Sequence, residues 1–167
     1  MTASAKLKKF VSYAKKEALE HLSEHGIADA IVVKIKRMKD PRWLGSYRGL
    51  SQFKSSYPIF WVNEQLLEKI KAEGIHEDDA PLVITDTILH EYGHVIWEFL
   101  RIRSSYAGSQ AHHAEIAALW DDIQAVEDDE EEFAENFAFA VRGRHENPVY
   151  TRFAKRWGTL LSKERGA

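Results

Sequence analysis

The stretch that most constrains the fold is a long apolar segment in the middle of the chain that carries polar residues at helical spacing. Residues 80–102 are mostly large and apolar, and His90, Glu91 and His94 interrupt them. Pro81 suits the first turn of a helix, because the amide that proline lacks has no intrahelical partner there. We therefore predict a largely buried helix, in which polar groups must be hydrogen-bonded or bound to a ligand.

The three polar residues read H-E-x-x-H. Residues four apart on a helix lie on one face about one turn apart, so His90 and His94 can bind one divalent ion. Imidazole pairs of this kind usually hold zinc, although manganese or iron also fits such ligands. Glu91 is rotated by about 100° from His90 and can reach a water beside the metal rather than the metal itself. The motif predicts metal-assisted hydrolysis with Glu91 as the catalytic base.

The length and composition narrow the class of protein. A chain of 167 residues is most simply one domain, so we expect a single domain over residues 1–167. There is no cysteine, which excludes disulfides and thiolate zinc sites and favours a His and carboxylate metal site. The N-terminal sequence has no apolar run typical of a signal peptide, and no stretch is apolar enough to cross a membrane. We expect a cytoplasmic protein with no membrane partner.

Charge is distributed unevenly along the chain. Residues 1–58 hold 12 Lys/Arg against 5 Asp/Glu, residues 121–135 hold 9 acids and no base, and residues 142–167 hold 7 bases against 2 acids. Basic ends can bind nucleic acid. Solvated helix faces are the interpretation we favour, because the lysines fall at helical spacing among polar residues.

Hydrophobic periodicity predicts an α+β fold with a small, mostly antiparallel three-stranded sheet packed on helices. The first two strands are expected to form a hairpin. The predicted helices cover residues 4–25, 64–72, 80–102, 110–124, 128–142 and 149–163, and the predicted strands cover residues 30–38, 46–50 and 57–62.

A catalytic zinc takes three protein ligands, so a third must come from elsewhere. The acid-rich helix offers Glu131, Glu132 and Glu135, of which Glu131 and Glu135 flank its apolar stripe. Ala134 and Ala138 would let this helix approach another closely. We predict Glu131 as the ligand and Glu135 as its support, hydrogen-bonded to a ligand histidine. Glu127 and His112 are the next candidates for the ligand.

The segment EEFAENFA resembles the E-x-x-A-[NDE]-x-F-A pattern of the ImmA/IrrE-type peptidases among the gluzincins, and the E-x-F-A-E stretch of the anthrax lethal factor catalytic domain. The matching residues are Glu131, Ala134, Glu135, Phe137 and Ala138. The order of elements over residues 28–142 is similar to a minimal gluzincin core, here with helical extensions at both ends. The resemblance implies a zincin-like fold and a zinc metalloendopeptidase with Glu131 as the third ligand.

It also implies a protein or peptide substrate that lies beside the sheet, which makes Tyr47 and Trp61 candidate substrate contacts. A group that stabilises the oxyanion would complete such a site. The candidates for that role are Tyr106, His112, His113, His145 and Tyr150. The alternative from another class is a regulatory module that keeps the fold and the metal, cleaves nothing, and uses its basic ends to bind nucleic acid.

Overall fold

The computed structural model describes residues 1–40, 44–48, 57–106, 111–143 and 148–166, with only the backbone described for residues 47 and 48. Its elements run in the order α1 (Ala3–Glu24), β1 (Val32–Lys36), β2 (Gly45–Arg48), β3 (Ile59–Asn63), α2 (Leu66–Ala72), α3 (Ala80–Ser104), α4 (His113–Val126), α5 (Glu130–Val141) and α6 (Pro148–Gly166). The α+β class is as predicted.

The sheet is mixed, with strand order β1-β3-β2. Strand β1 pairs parallel to β3, with Val32 opposite Ile59, and β2 pairs antiparallel to β3, with Ser46 opposite Trp61. The expected hairpin of the first two strands is therefore wrong, and the sheet is not mostly antiparallel. Strand β3, with Phe60 and Val62 buried, separates β1 from β2. The alternation of apolar and polar residues along a strand shows which of its faces is buried. It does not show which other strand lies beside it.

Helix α3 is the element around which the others pack. It contacts α1, α4, α5 and the strands β2 and β3, and its buried residues extend from Ala80 to Leu100. The predicted helix over 80–102 is confirmed and extends two residues further. A helix that is apolar on most of its surface is stable only where neighbours cover several of its sides, and this requirement places α3 between α1, α4, α5 and the sheet.

Two glycines set the distances between α3 and its neighbours. A Cβ added at Gly93 would lie 2.7 Å from Ala134 Cα of α5, and one added at Gly45 would lie 2.6 Å from Thr87 Cγ2. The first contact confirms that Ala134 permits a close helix approach. Both glycines are needed because any side chain would push α5 or β2 away from the face of α3 that carries the histidines.

Helix α5 begins at Glu130, two residues after the predicted start at residue 128. Its N-cap, Asp129, accepts a hydrogen bond from the Glu132 amide at 2.9 Å. Helix α4 begins at His113 instead of residue 110, and the predicted start at residue 110 lies outside the described residues. No helix in the described part of the chain has the length and apolar character that crossing a membrane requires.

Candidate metal centre and cleft

Three side-chain donors from two helices converge at the α3–α5 crossing. His90 Nε2 and His94 Nε2 are 3.2 Å apart. Glu131 reaches both of them, with Oε2 at 3.1 Å from His90 Nε2 and Oε1 at 2.8 Å from His94 Nε2. Among the described residues these three form a group able to hold a metal ion. The structure therefore brings together the three residues predicted as ligands, and their binding of a metal stays a prediction.

The local structure explains why these donors meet. The two histidines lie one turn apart on α3, and Glu131 lies in the first turn of α5 beyond the Asp129 cap. Acidic residues are favourable in a first turn, because the positive end of the helix dipole lies there. The close approach at Gly93 brings that first turn of α5 above the histidines.

The spacing of the donor atoms fits one ion. Ligands at 2.0–2.1 Å from a tetrahedral zinc lie about 3.3 Å from one another, and the three separations here are 2.8, 3.1 and 3.2 Å. Burial and the adjacent His94 hold the pKa of His90 below its usual range. The neutral imidazole that this lowered pKa favours is the form that binds a metal.

The carboxylate of Glu130 contacts His94 on the side of the ring that faces away from the cluster. Glu130 Oε1 lies 3.1 Å from His94 Nδ1, the ring nitrogen that faces away from the cluster. Such a contact fixes the orientation and tautomer of a metal-binding histidine. Glu135, predicted for this kind of support, is exposed at the edge of the cleft, and its charge raises the pKa of His90 slightly. Its hydrogen bond to a ligand histidine stays a prediction.

Glu91 is half-buried beside the cluster. Burial raises the pKa of Glu91 to about 7, and the charges of Glu131 and Glu130 add to that effect, while His94 opposes it. The carboxylate is therefore a stronger base than an exposed glutamate. A base whose pKa lies near neutrality is suited to both accepting and returning a proton.

The cluster lies in a cleft of about 900 Å³ between the edge strand β2 and α5. This volume is within the range of sites that bind small molecules or peptide side chains. Apart from the cluster and Glu91, the cleft is lined by Leu44, Gly45, Ser46, Asp86, Thr87, Glu130, Glu135, Ala138 and Phe139.

Other predicted site residues do not meet the cluster. Trp61 is half-buried on the face of the sheet that it shares with Ser46, has Lys36 Nζ at 4.2 Å from its ring centroid, and does not line the cleft. The backbone of Tyr47 belongs to β2, but its side chain lies outside the described residues.

The residues predicted to stabilise an oxyanion do not line the cleft either, or lie outside the described residues. The four candidates within the described residues do not line it, and His145 lies outside them. The four are Tyr106, His112, His113 and Tyr150.

Sequence reasoning missed Glu130, Asp86 and Gly45. Glu130 precedes the predicted ligand in a run of acids, and nothing in such a run distinguishes the member that faces a histidine. Asp86 lies four residues before His90, so helical spacing alone placed it on the same face and could have identified it.

A scan against protein-family models, a search of the curated proteins and a search of the solved structures found no match to this chain. The function of the chain is therefore inferred from the geometry of the cleft and from the chemistry of its donor atoms.

Proposed function

We propose that this chain is a zinc-dependent metallopeptidase. The observation that supports the proposal best is the convergence of His90, His94 and Glu131 in an open cleft, with the raised-pKa carboxylate of Glu91 beside them. Two imidazoles and one carboxylate form the donor set of catalytic zinc sites that leave one position open for water or substrate.

The roles of the residues follow from their positions. A zinc ion held by His90, His94 and Glu131 would polarise a substrate carbonyl and acidify an adjacent water. Glu91 accepts the proton of the attacking water and then delivers it to the leaving amine. Glu130 keeps the ring of His94 in the orientation that directs Nε2 to the cluster.

We place the substrate in an extended conformation along β2. This strand is at the edge of the sheet, and its residues Gly45 and Ser46 line the cleft. The Asn63 amide donates to the Leu44 carbonyl at 2.9 Å, which makes that opposing pair a hydrogen-bonded one. Hydrogen-bonded and non-hydrogen-bonded pairs alternate along an antiparallel ladder, so Gly45 and Tyr47 belong to non-hydrogen-bonded pairs. Their N–H groups therefore point away from β3 and are available to a substrate backbone.

The test is the replacement Glu91→Gln. The amide keeps the shape of the side chain but cannot accept the water's proton, so hydrolysis of a denatured protein should fall about 10²–10⁴-fold. Zinc content and the unfolding midpoint should stay at wild-type values. Glu73→Gln makes the same chemical change at an exposed residue after α2 and should leave hydrolysis unchanged.

Hydrolysis that is equally fast in the Glu91 variant would contradict the mechanism. A wild-type protein that binds zinc yet cleaves nothing, and binds DNA with a strong dependence on salt, would favour the regulatory alternative.

A further inference from the structure

The sheet has a second edge, on the side opposite the strand that borders the metal cleft. Strand β1 comes first in the order β1-β3-β2, so within the described part of the chain only one of its sides is paired with another strand. The cleft lies against β2, at the other edge. An edge strand presents a row of backbone N–H and C=O groups with which another extended chain can pair.

The hydrogen bonds of β1 show which of its backbone groups face outward. The Val32 amide donates to the Pro58 carbonyl, and the Glu64 amide donates to the Lys36 carbonyl, both at 2.9 Å. In a parallel pair every second residue of a strand bonds to the neighbouring strand, so residues 32, 34 and 36 face β3. The two residues of β1 whose N–H and C=O groups point away from β3 are Val33 and Ile35.

The side chains beside this edge differ between the two faces of the sheet. Val33 and Ile35 are half-buried and pack against the core, whereas Lys34 and Lys36 are exposed on the opposite face. Arg37 follows the strand and is also exposed. Because successive residues of a strand point to opposite faces, an added strand would meet lysines on one face and apolar side chains on the other.

The positive charge favours an acidic partner over a second copy of this chain. Two β1 strands paired antiparallel would bring Lys34 and Lys36 of one copy close to those of the other, and like charges opposite each other are destabilising. A segment with acidic residues at every second position would instead place a carboxylate beside each lysine. Apolar residues at the alternate positions would extend the apolar face that Val33 and Ile35 form.

The same face is less suited to a nucleic acid. Trp61 is the aromatic residue opposite Lys34, and Lys36 Nζ lies 4.2 Å from its ring centroid. A base that stacks on this half-buried ring would have to displace the lysine. The phosphates of a DNA strand also accept hydrogen bonds but donate none. A peptide backbone supplies both the donors and the acceptors that the outward groups of β1 require.

We propose that the outer edge of β1 binds an extended acidic segment of a protein partner, which adds a strand to the sheet. The segment pairs with the backbone of Val33 and Ile35 and places its carboxylates beside Lys34 and Lys36. This surface is separate from the proposed peptidase centre and needs no metal. The cleft disfavours an acidic peptide, because it carries several carboxylates and, within the described ranges, no Lys or Arg.

The experiment titrates the full-length, ¹⁵N-labelled chain with a five-residue peptide of alternating glutamate and valine, acetylated and amidated at its ends. A chelator in the buffer prevents cleavage of the peptide by a metal in the cleft. Saturable amide shifts are expected at Val33 and Ile35, with a Kd of about 1 mM for a short flexible peptide. The affinity should fall as salt is added, because the lysines are exposed.

Two control peptides separate the charge from the backbone pairing. A peptide of alternating glutamine and valine keeps the backbone and should bind about 5-fold more weakly, as expected for the loss of two exposed ion pairs. The glutamate peptide with its inner amides N-methylated keeps the charges but cannot donate to the carbonyls of β1. It should give no saturable shifts at Val33 or Ile35.

Variants of the chain assign the surface. Lys34→Gln combined with Lys36→Gln should weaken the glutamate peptide about 5-fold and leave the glutamine peptide unchanged. Lys71→Gln makes the same change at an exposed residue of α2 and should bind as wild type does. Val33→Pro removes one outward N–H without removing a bond of the sheet, so it should weaken both peptides about 5-fold.

Four results with the wild-type chain would each overturn the proposal. They are no saturable binding, equal affinity for the glutamate and glutamine peptides, equal binding of the N-methylated peptide, and shifts confined to β2. Tighter binding of oligothymidylate at the same amides would assign the surface to single-stranded DNA instead. A concentration-dependent dimer whose amide shifts fall on β1 would assign it to a second copy of the chain. None of these outcomes depends on whether a variant folds or the chain cleaves peptides.

Discussion

Polar side chains within about one turn of α3 belong to two separate clusters, one in an open cleft and one in a buried network. His90 and His94 meet Glu131 in the open cleft, whereas Tyr92 belongs to a buried network on another side of the helix. The Tyr92 hydroxyl donates to Asp29 Oδ2 at 2.8 Å and accepts from Trp157 Nε1 at 3.1 Å. Arg165 Nη2 lies 3.0 Å from Asp29 Oδ1, and the Asp29 side chain is fully buried.

The two clusters differ in how their charges are balanced. In the buried network, Arg165 balances Asp29, whose pKa is raised by burial while Tyr92 and Arg165 oppose the rise. In the cleft, the carboxylates of Glu91, Glu130 and Glu131 face two histidines, and among the described residues no Lys or Arg lines it. A closed network fixes the packing of α3 and α6, whereas converging donors without a cation are suited to bind one from solution.

The largest effect should come from removing the third ligand. Glu131→Ala should weaken zinc binding by more than the about 10–100-fold expected for Glu135→Ala, because a lost ligand costs more than lost support. Chelator competition on both variants measures the two affinities. If Glu135→Ala strips the zinc while Glu131→Ala retains it, the two roles are exchanged.

Gly93→Ala should disturb the cleft and the core together. The new Cβ would lie 2.7 Å from Ala134 Cα, so α5 must shift away from α3. We expect a loss of about 1–3 kcal/mol in the free energy of unfolding and weaker zinc binding, measured by urea denaturation and chelator competition. Gly166→Ala, where an added Cβ meets nothing within 4 Å, is the control. Wild-type zinc affinity in Gly93→Ala would show that the close crossing does not position Glu131.

Tyr92→Phe should weaken the buried network without changing the metal cluster. The change removes the hydrogen bond from Trp157 Nε1 to the Tyr92 hydroxyl and the one from that hydroxyl to Asp29, which costs about 1–3 kcal/mol in unfolding free energy. Zinc affinity should stay at its wild-type value, because the hydroxyl belongs to the buried network. A loss of zinc affinity together with the loss of stability would mean that the two clusters are coupled.

The smallest effect should come from a substitution in the edge strand β2. Tyr47→Pro removes one N–H that points away from β3, so KM for a peptide should rise about 5-fold, the loss of one hydrogen bond. Arg48→Pro serves as the comparison, because residue 48 opposes Ile59 as a hydrogen-bonded pair and its loss should destabilise the sheet instead. An unchanged KM in a folded Tyr47→Pro variant would exclude substrate pairing along β2.

The sequence alone determined the parts of this protein that depend on local spacing. The four-residue interval of His90 and His94 fixed their common face, and the apolar run around them fixed a long buried helix, α3. The interval between Glu131 and the small Ala134 also placed the third donor on the side of α5 that meets α3. Each of these follows from the geometry of one helix.

Tertiary structure decided what depends on residues far apart in the chain. The pairing of β1 with β3 rather than β2, and the choice of Glu130 as the partner of His94, follow from how separate elements meet. Periodicity shows which face of an element is buried but not what it is buried against, because that choice is set by the packing of the whole chain.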